Sequence, residues 1–189
     1  TLPILRSIYK KHGPVALIHV DAHADINEHM FGEEIAHGTP FRRAYEEELI
    51  LADKTYQIGL RGTGYEADDF DTARKWGFTV VHAEELWYKS CAPLMEKIRS
   101  EIGDTPVYLT FDIDSLDPAC APGTGTVEMG GLMTSQALEI VRGCKGLNLV
   151  GCDLVEVSPP YDPSGNTAVI AANLLYEMLC VLPGVPYRD

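Results

Sequence analysis

Five ionisable side chains stand at two places where a run of β-branched and aliphatic residues ends. Residues 15–20 lead into Asp21-Ala22-His23-Ala24-Asp25, and residues 107–111 lead into Asp112-Ile113-Asp114. If the first strand continues, alternate residues face the same way, so Asp21, His23 and Asp25 share a face. Four carboxylates and an imidazole gathered at one sheet edge repel, because like charges within a few ångströms raise one another's pKa. A bound cation relieves this. The set is hard and oxygen-rich, which favours Mn²⁺ or Mg²⁺ over the Cys/His pattern of zinc, and manganese best suits carboxylates mixed with histidine. One divalent ion does not balance four carboxylates, whereas two ions about 3.5–4 Å apart share bridging carboxylates and activate one water between them. Any one of these aspartates also reads as a turn former or helix N-cap; the metal reading rests on the set.

Two further residues extend the set. Glu156 follows a third apolar run and can hold a cation beyond the metals, or can neighbour the last helix and gain from its dipole. His37 precedes Gly38-Thr39-Pro40, where backbone can approach a ligand closely, and a histidine there can shuttle protons or stand solvated in a loop. His19, inside the first strand, reads as core or as a group orienting a neighbouring ligand.

The elements that must position these groups follow from hydrophobic pattern. Runs at 15–20, 55–60, 78–81, 107–111 and 147–154 read as strands buried on both faces. Helical patterns cover 2–11, 41–51, 68–76, 92–102, 134–142 and 167–182, with His12-Gly13-Pro14 ending the first. The alternation predicts right-handed crossovers and a mainly parallel sheet covered by helices on both sides. Irregular stretches at 26–40 and 114–133 follow strand ends, where α/β folds bind ligands.

Composition sets the bounds. The 189 residues fit one domain, and 46% hydrophobic content is enough for a core. The balance of 15 Lys+Arg against 28 Asp+Glu gives −13, which argues against nucleic acid or an anionic membrane surface as partner and favours metal ions or a small cationic substrate. No stretch approaches the roughly 18 apolar residues of a membrane span. Five cysteines without a C-x-x-C pair read as reduced thiols of an intracellular protein, each a small buried hydrophobe.

The runs Asp21-Ala22-His23-Ala24-Asp25, Thr110-Phe111-Asp112-Ile113-Asp114-Ser115-Leu116-Asp117-Pro118 and Glu156-Val157-Ser158-Pro159 resemble, in order and spacing, the ureohydrolase family of arginases and agmatinases. The likeness covers nearly the whole chain. Within the family, His37-Gly38-Thr39-Pro40-Phe41-Arg42-Arg43 and the segment from Gly151 to Asp162 look more like agmatinase and guanidinobutyrase than arginase. The resemblance implies a three-layer α/β/α fold incomplete at the N-terminus, residues 1–189 being the later part of one ureohydrolase domain. It implies two Mn²⁺ per complete subunit, with Asp21 and Asp112 bridging, His23 and Asp114 completing one ion, and Asp25 on the other. Glu156 would bind the guanidinium and His37 would relay protons to the departing amine, after attack by a metal-bridging hydroxide. A further histidine ligand belongs to a Gly-Gly-Asp-His segment ahead of the first helix, so the Asp25 ion is one ligand short in this chain. Trimers or hexamers are typical of the family, and the compartment, cytoplasmic or mitochondrial, is not decided by these residues.

Substrate choice falls to the loop 27–36. Glu28, Glu33 and Glu34 suit the ammonium of agmatine, whereas Arg42 or Arg43, if turned inward, would suit the carboxylate of 4-guanidinobutanoate; Met30 and Phe31 offer an apolar wall for the methylenes. Agmatine is the preferred substrate on this reading. Two other classes compete: a catalytically silent fragment or member acting through assembly, and a phosphate-receiver domain with one Mg²⁺, which needs neither His23 nor the second pair of aspartates.

Overall fold

The computed structural model describes residues 1–62, 64 and 69–186. Its sheet has five parallel strands, β1 (Val15–Val20), β2 (Ile50–Leu60), β3 (Thr79–His82), β4 (Pro106–Asp112) and β5 (Asn148–Val155), in the spatial order β3-β2-β1-β4-β5. The helices are α1 (Leu2–His12), α2 (Pro40–Glu46), α3 (Asp69–Trp76), α4 (Ala83–Leu86), α5 (Ala92–Ile102), α6 (Thr134–Gly143) and α7 (Asn166–Cys180).

Strand alternation divides the core in two. Ala16, Ile18 and Val20 of β1 and Leu109 and Phe111 of β4 pack with Met95, Ile98 and Ile102 of α5, Ile140 of α6 and Leu174 of α7. On the opposite face Val15, Leu17 and Tyr108 meet Leu2 and Leu5 of α1 and Phe41 and Ala44 of α2. The central strands are thus buried on both sides, which is why they read as unbroken apolar runs. The layers are helix, sheet, helix, as the sequence leads one to expect.

The chain steps outward from β1 to β2 and β3, then returns to β4 on the other side of β1. That reversal makes a topological switch point between β1 and β4, the place where open parallel sheets leave a crevice beyond the strand ends. Asp21 and Asp112 stand at those two ends.

Two predicted boundaries differ by more than two residues, and one short helix is new. The second helix stops at Glu46 rather than continuing to 51, because Glu48 turns the chain with φ 55° and Leu49 donates back to the Ala44 carbonyl. β2 therefore begins at Ile50, its first half carrying Asp53 and Lys54, which hide the apolar signal. α4 was not anticipated; it is held by a reciprocal cap in which the Glu85 side chain accepts from the His82 backbone at 2.9 Å. The helix expected at 68–76 is observed from Asp69, Asp68 lying outside the described residues. All five cysteines are free, Cys91 and Cys144 fully buried. Among the described residues no helix is long and apolar enough to cross a membrane.

Candidate metal centre

β1 ends at Val20, and the following residues leave the extended conformation; Asp25 takes φ 54°. Strand alternation is therefore not what groups Asp21, His23 and Asp25. A folded-back turn does so instead, in which one Asp21 oxygen, Oδ1, accepts from the His23 backbone N–H at 2.7 Å. At the end of β4, Asp112 Oδ1 accepts from the Asp114 backbone N–H at 2.9 Å and starts a short 3₁₀ turn. Asp114 then reaches across to the first turn, its Oδ1 accepting from the Ala22 N–H at 3.1 Å. The two ligand segments are thereby laced to each other.

One cavity of about 420 Å³ is lined by Asp21, His23, Asp25, Asp112, Asp114, His37 and Glu156 together. Donor atoms of Asp21, His23 and Asp114 lie within 4.8 Å of one another, as do those of His19, Asp21 and Asp25, so Asp21 is common to both groups, while Asp112 belongs to neither. His23 Nδ1 is 3.0 Å from Asp114 Oδ2 and 3.5 Å from Asp21 Oδ1. Gly62 makes room for this ring, since a Cβ there would stand 2.3 Å from His23 Cδ2. His37 Nδ1 lies 3.6 Å from Glu156 Oε1, both side chains open to the cavity mouth. Glu156 follows β5 with φ 65°, a left-handed backbone sparsely populated by non-glycine residues.

His19 does what the sequence suggests for a supporting group. The Gln57 amide donates to the Ala24 carbonyl at 2.8 Å and to His19 Nδ1 at 3.1 Å, which leaves Nε2–H to donate to Asp21 Oδ2 at 2.7 Å. The nitrogen facing Asp21 is engaged by this bond, so His19 supports Asp21 rather than offering a ligand atom of its own.

The electrostatics are those of a crowded acidic site. Burial, reinforced by the Asp21 charge, pushes the carboxyls of Asp25 and Asp114 upward. Asp112 is pushed to about 12 by burial and by the Asp21 and Asp114 charges. Asp21 is the exception: burial opposes its ionisation, but His19 and His23 outweigh that and hold it well below the usual range. His23 is itself raised to about 10, its burial overcome by Asp114 and Asp21. Carboxyls that cannot all ionise together in a buried pocket fit divalent cations, and the donor set of hard oxygens with one imidazole fits them chemically.

Sequence reasoning missed several residues around this centre. Thr126 donates to Asp114 Oδ2 at 2.9 Å, Glu128 Oε1 lies 3.7 Å from His23 Nε2, and Phe70 joins Asn27, Met30 and Phe31 on the cavity wall. Only the length and glycine content of the 114–133 stretch pointed toward the first two. The loop acids do not fulfil the role given them: Glu28, Glu33 and Glu34 are exposed and absent from the described lining, with Glu28 4.0 Å from Arg42. Arg42 pairs with Glu46 at 3.0 Å and lies over Trp76, and the largely buried Arg43 pairs with Glu46 at 3.2 Å; neither joins the described lining.

The sequence pattern of the arginase family matches residues 1–180. A guanidinobutyrase of Pseudomonas aeruginosa is 68% identical over 188 residues, covering 100% of this chain and 59% of that protein. A mitochondrial agmatinase of Gallus gallus is 60% identical over 98% of this chain and 54% of its own length. Among solved structures, proclavaminate amidino hydrolase from Streptomyces clavuligerus superposes with a TM-score of 0.90 at 42% identity, over 94% of this chain and 59% of that one. The chain thus spans little more than half the length of these relatives. With the matching pattern running through both ligand segments and Glu156, the chain belongs to the arginase family.

Proposed function

We propose that the complete protein hydrolyses the guanidino group of a linear guanidino compound, giving urea and a primary amine, with two Mn²⁺ ions held by Asp21, His23, Asp25, Asp112 and Asp114, in a homo-oligomer. The observation that carries this is the convergence, in one cavity at the switch point, of these five residues with Glu156 and His37. The names of the similar proteins, guanidinobutyrase and agmatinase, support the reaction class.

Bound as a pair, divalent ions lower the pKa of water and stabilise developing negative charge. The remaining work falls to side chains. The Glu156 carboxylate binds the planar guanidinium by charge-assisted hydrogen bonds and aims its carbon at the carboxylate cluster. His37 directs Nδ1 toward Glu156, which leaves Nε2 to deliver a proton to the departing amine nitrogen. Met30, Phe31 and Phe70 provide an apolar wall for a methylene chain.

Agmatine is the substrate preferred from sequence. A second reading, 4-guanidinobutanoate, is supported by the guanidinobutyrase that is 68% identical; the loop acids meant for agmatine's ammonium and the arginines meant for a carboxylate both lie off the described wall. Urea release from agmatine, 4-guanidinobutanoate and arginine by the Mn²⁺-loaded protein decides between them, with this chain assayed beside a form extended upstream through the Gly-Gly-Asp-His segment. Asp112→Ala is expected to fall to background, and Glu156→Gln to lose about 10²–10³-fold in kcat while keeping its metal. Urea release undiminished in Asp112→Ala sinks the role of this centre in the reaction; absence of urea from an extended form that binds manganese favours the silent member acting through assembly.

A further inference from the structure

Arg61 follows the last residue of β2 and is the meeting point of the two ligand segments. Its backbone N–H donates to the Ala22 carbonyl at 2.8 Å, inside the turn that carries Asp21 and His23. Its guanidinium, more than half buried, points the other way into the 114–133 stretch. Nη2 donates to the carbonyls of Asp114 at 2.8 Å, Leu116 at 3.2 Å and Glu128 at 2.8 Å. Nη1 donates to Gly59 and Ser115, each at 3.1 Å, and Nε to Met129 at 3.1 Å. Gly131 leaves the space this fan needs, for a Cβ there would stand 2.5 Å from Nη2.

We propose that Arg61 is a positioning residue that sets the separation of His23 and Asp114, and so tunes one of the two metal sites without touching the ion. The geometry is specific to arginine. A planar fork with five N–H groups, one of them shared between two carbonyls on Nη2, can hold these six carbonyls, whereas a lysine ammonium has three donors on one point. Through that fork the backbone of Asp114 and that of Glu128 are fixed to the strand end that also fastens Ala22. The consequences appear on the two nitrogens of one ring: Nδ1 stands 3.0 Å from Asp114, and Nε2 stands 3.7 Å from Glu128. The two groups share Asp21, but His19 and Asp25 take none of these bonds, so the larger effect falls on the ion at His23 and Asp114. Supporting groups of this kind change metal affinity by about 10–100-fold.

The proposal rests on the two-ion reading, and one titration separates the two. Equilibrium dialysis of the complete protein against Mn²⁺, followed by metal analysis, is expected to give two ions per chain for the parent. Arg61→Lys is expected to weaken one ion about 10–100-fold and leave the other within about twofold, with kcat restored by excess Mn²⁺ and KM for the guanidino substrate unchanged. Arg61→Gln, which keeps a smaller planar donor, is expected to show the same selective loss. Asp117→Ala loosens the same stretch by removing the acceptor of the Ala119, Gly130 and Gly131 N–H groups, and is expected to lower melting temperature while both ions stay. Equal weakening of both ions in the arginine variants, parent-like binding in them, or a matching selective loss in Asp117→Ala overturns the role of Arg61. A parent that binds fewer than two ions overturns the two-ion reading and the proposal with it.

Discussion

Protonation is where the centre's chemistry is stored when no cation is present. Asp112 keeps its proton up to about 12, while the unfolded chain releases it near 4. Across that window the native state binds more protons than the unfolded chain, so Asp112 removes stability from the metal-free protein as pH rises. His23 acts in the same direction between 6.5 and about 10, because its raised pKa contributes stability that is complete below 6.5 and lost as pH climbs through 10. The depressed Asp21 contributes above its ordinary value and is lost only in acid, below about 4. Chelator-treated protein should therefore resist urea less at pH 8 than at pH 5.5, and Asp112→Asn should flatten the difference. Stability that rises over this interval would refute the assignment. Manganese loading at neutral pH should release protons, read by calorimetry in buffers of different ionisation enthalpy.

At the scale of elements, the ends of β1 and β4 were legible because strands buried on both faces write themselves as unbroken apolar runs. The first half of β2 was not, since Lys54 sits within it and turns its ammonium to the Ile102 carbonyl and Thr105 hydroxyl. Side-chain direction in loops was the other blind spot: charge alone does not show that Glu28 faces Arg42 or that Asp25 reaches the centre through a left-handed residue. Asp153 shows how much joining between elements lies in such detail. It stands on β5 opposite Thr110 of β4 and accepts from Thr110 at 2.6 Å, from the Tyr108 hydroxyl at 2.7 Å and from Thr1, the residue before α1, at 3.0 Å. Thr110 lies two residues before Asp112 on the same face. Asp153→Asn turns an amide toward donors, and should lower unfolding free energy by about 1.5–3 kcal/mol in denaturant titration. A change within about 0.5 kcal/mol would mean that the three hydroxyls find other acceptors.

The whole molecule carries two surfaces at odds with its charge. A net charge of −13 favours dispersion in solution, yet β5 is an edge of the sheet, with strand partners on only one side among the described residues. Beside it α7 leaves Val169, Leu175, Tyr176 and Leu179 exposed by 43–69%. An open parallel edge next to apolar side chains is a template for pairing with another chain. The same edge borders Glu156, which follows β5 directly, so whatever pairs with β5 also stiffens the backbone that aims that carboxylate. This 189-residue chain should therefore self-associate in light scattering at raised salt, where repulsion is screened, and a form extended upstream should remain of one size. If the extension restores urea release but not uniform size, the added segment completes the metal ligands without covering the edge. If it restores uniform size alone, the extension covers β5 without completing a working centre.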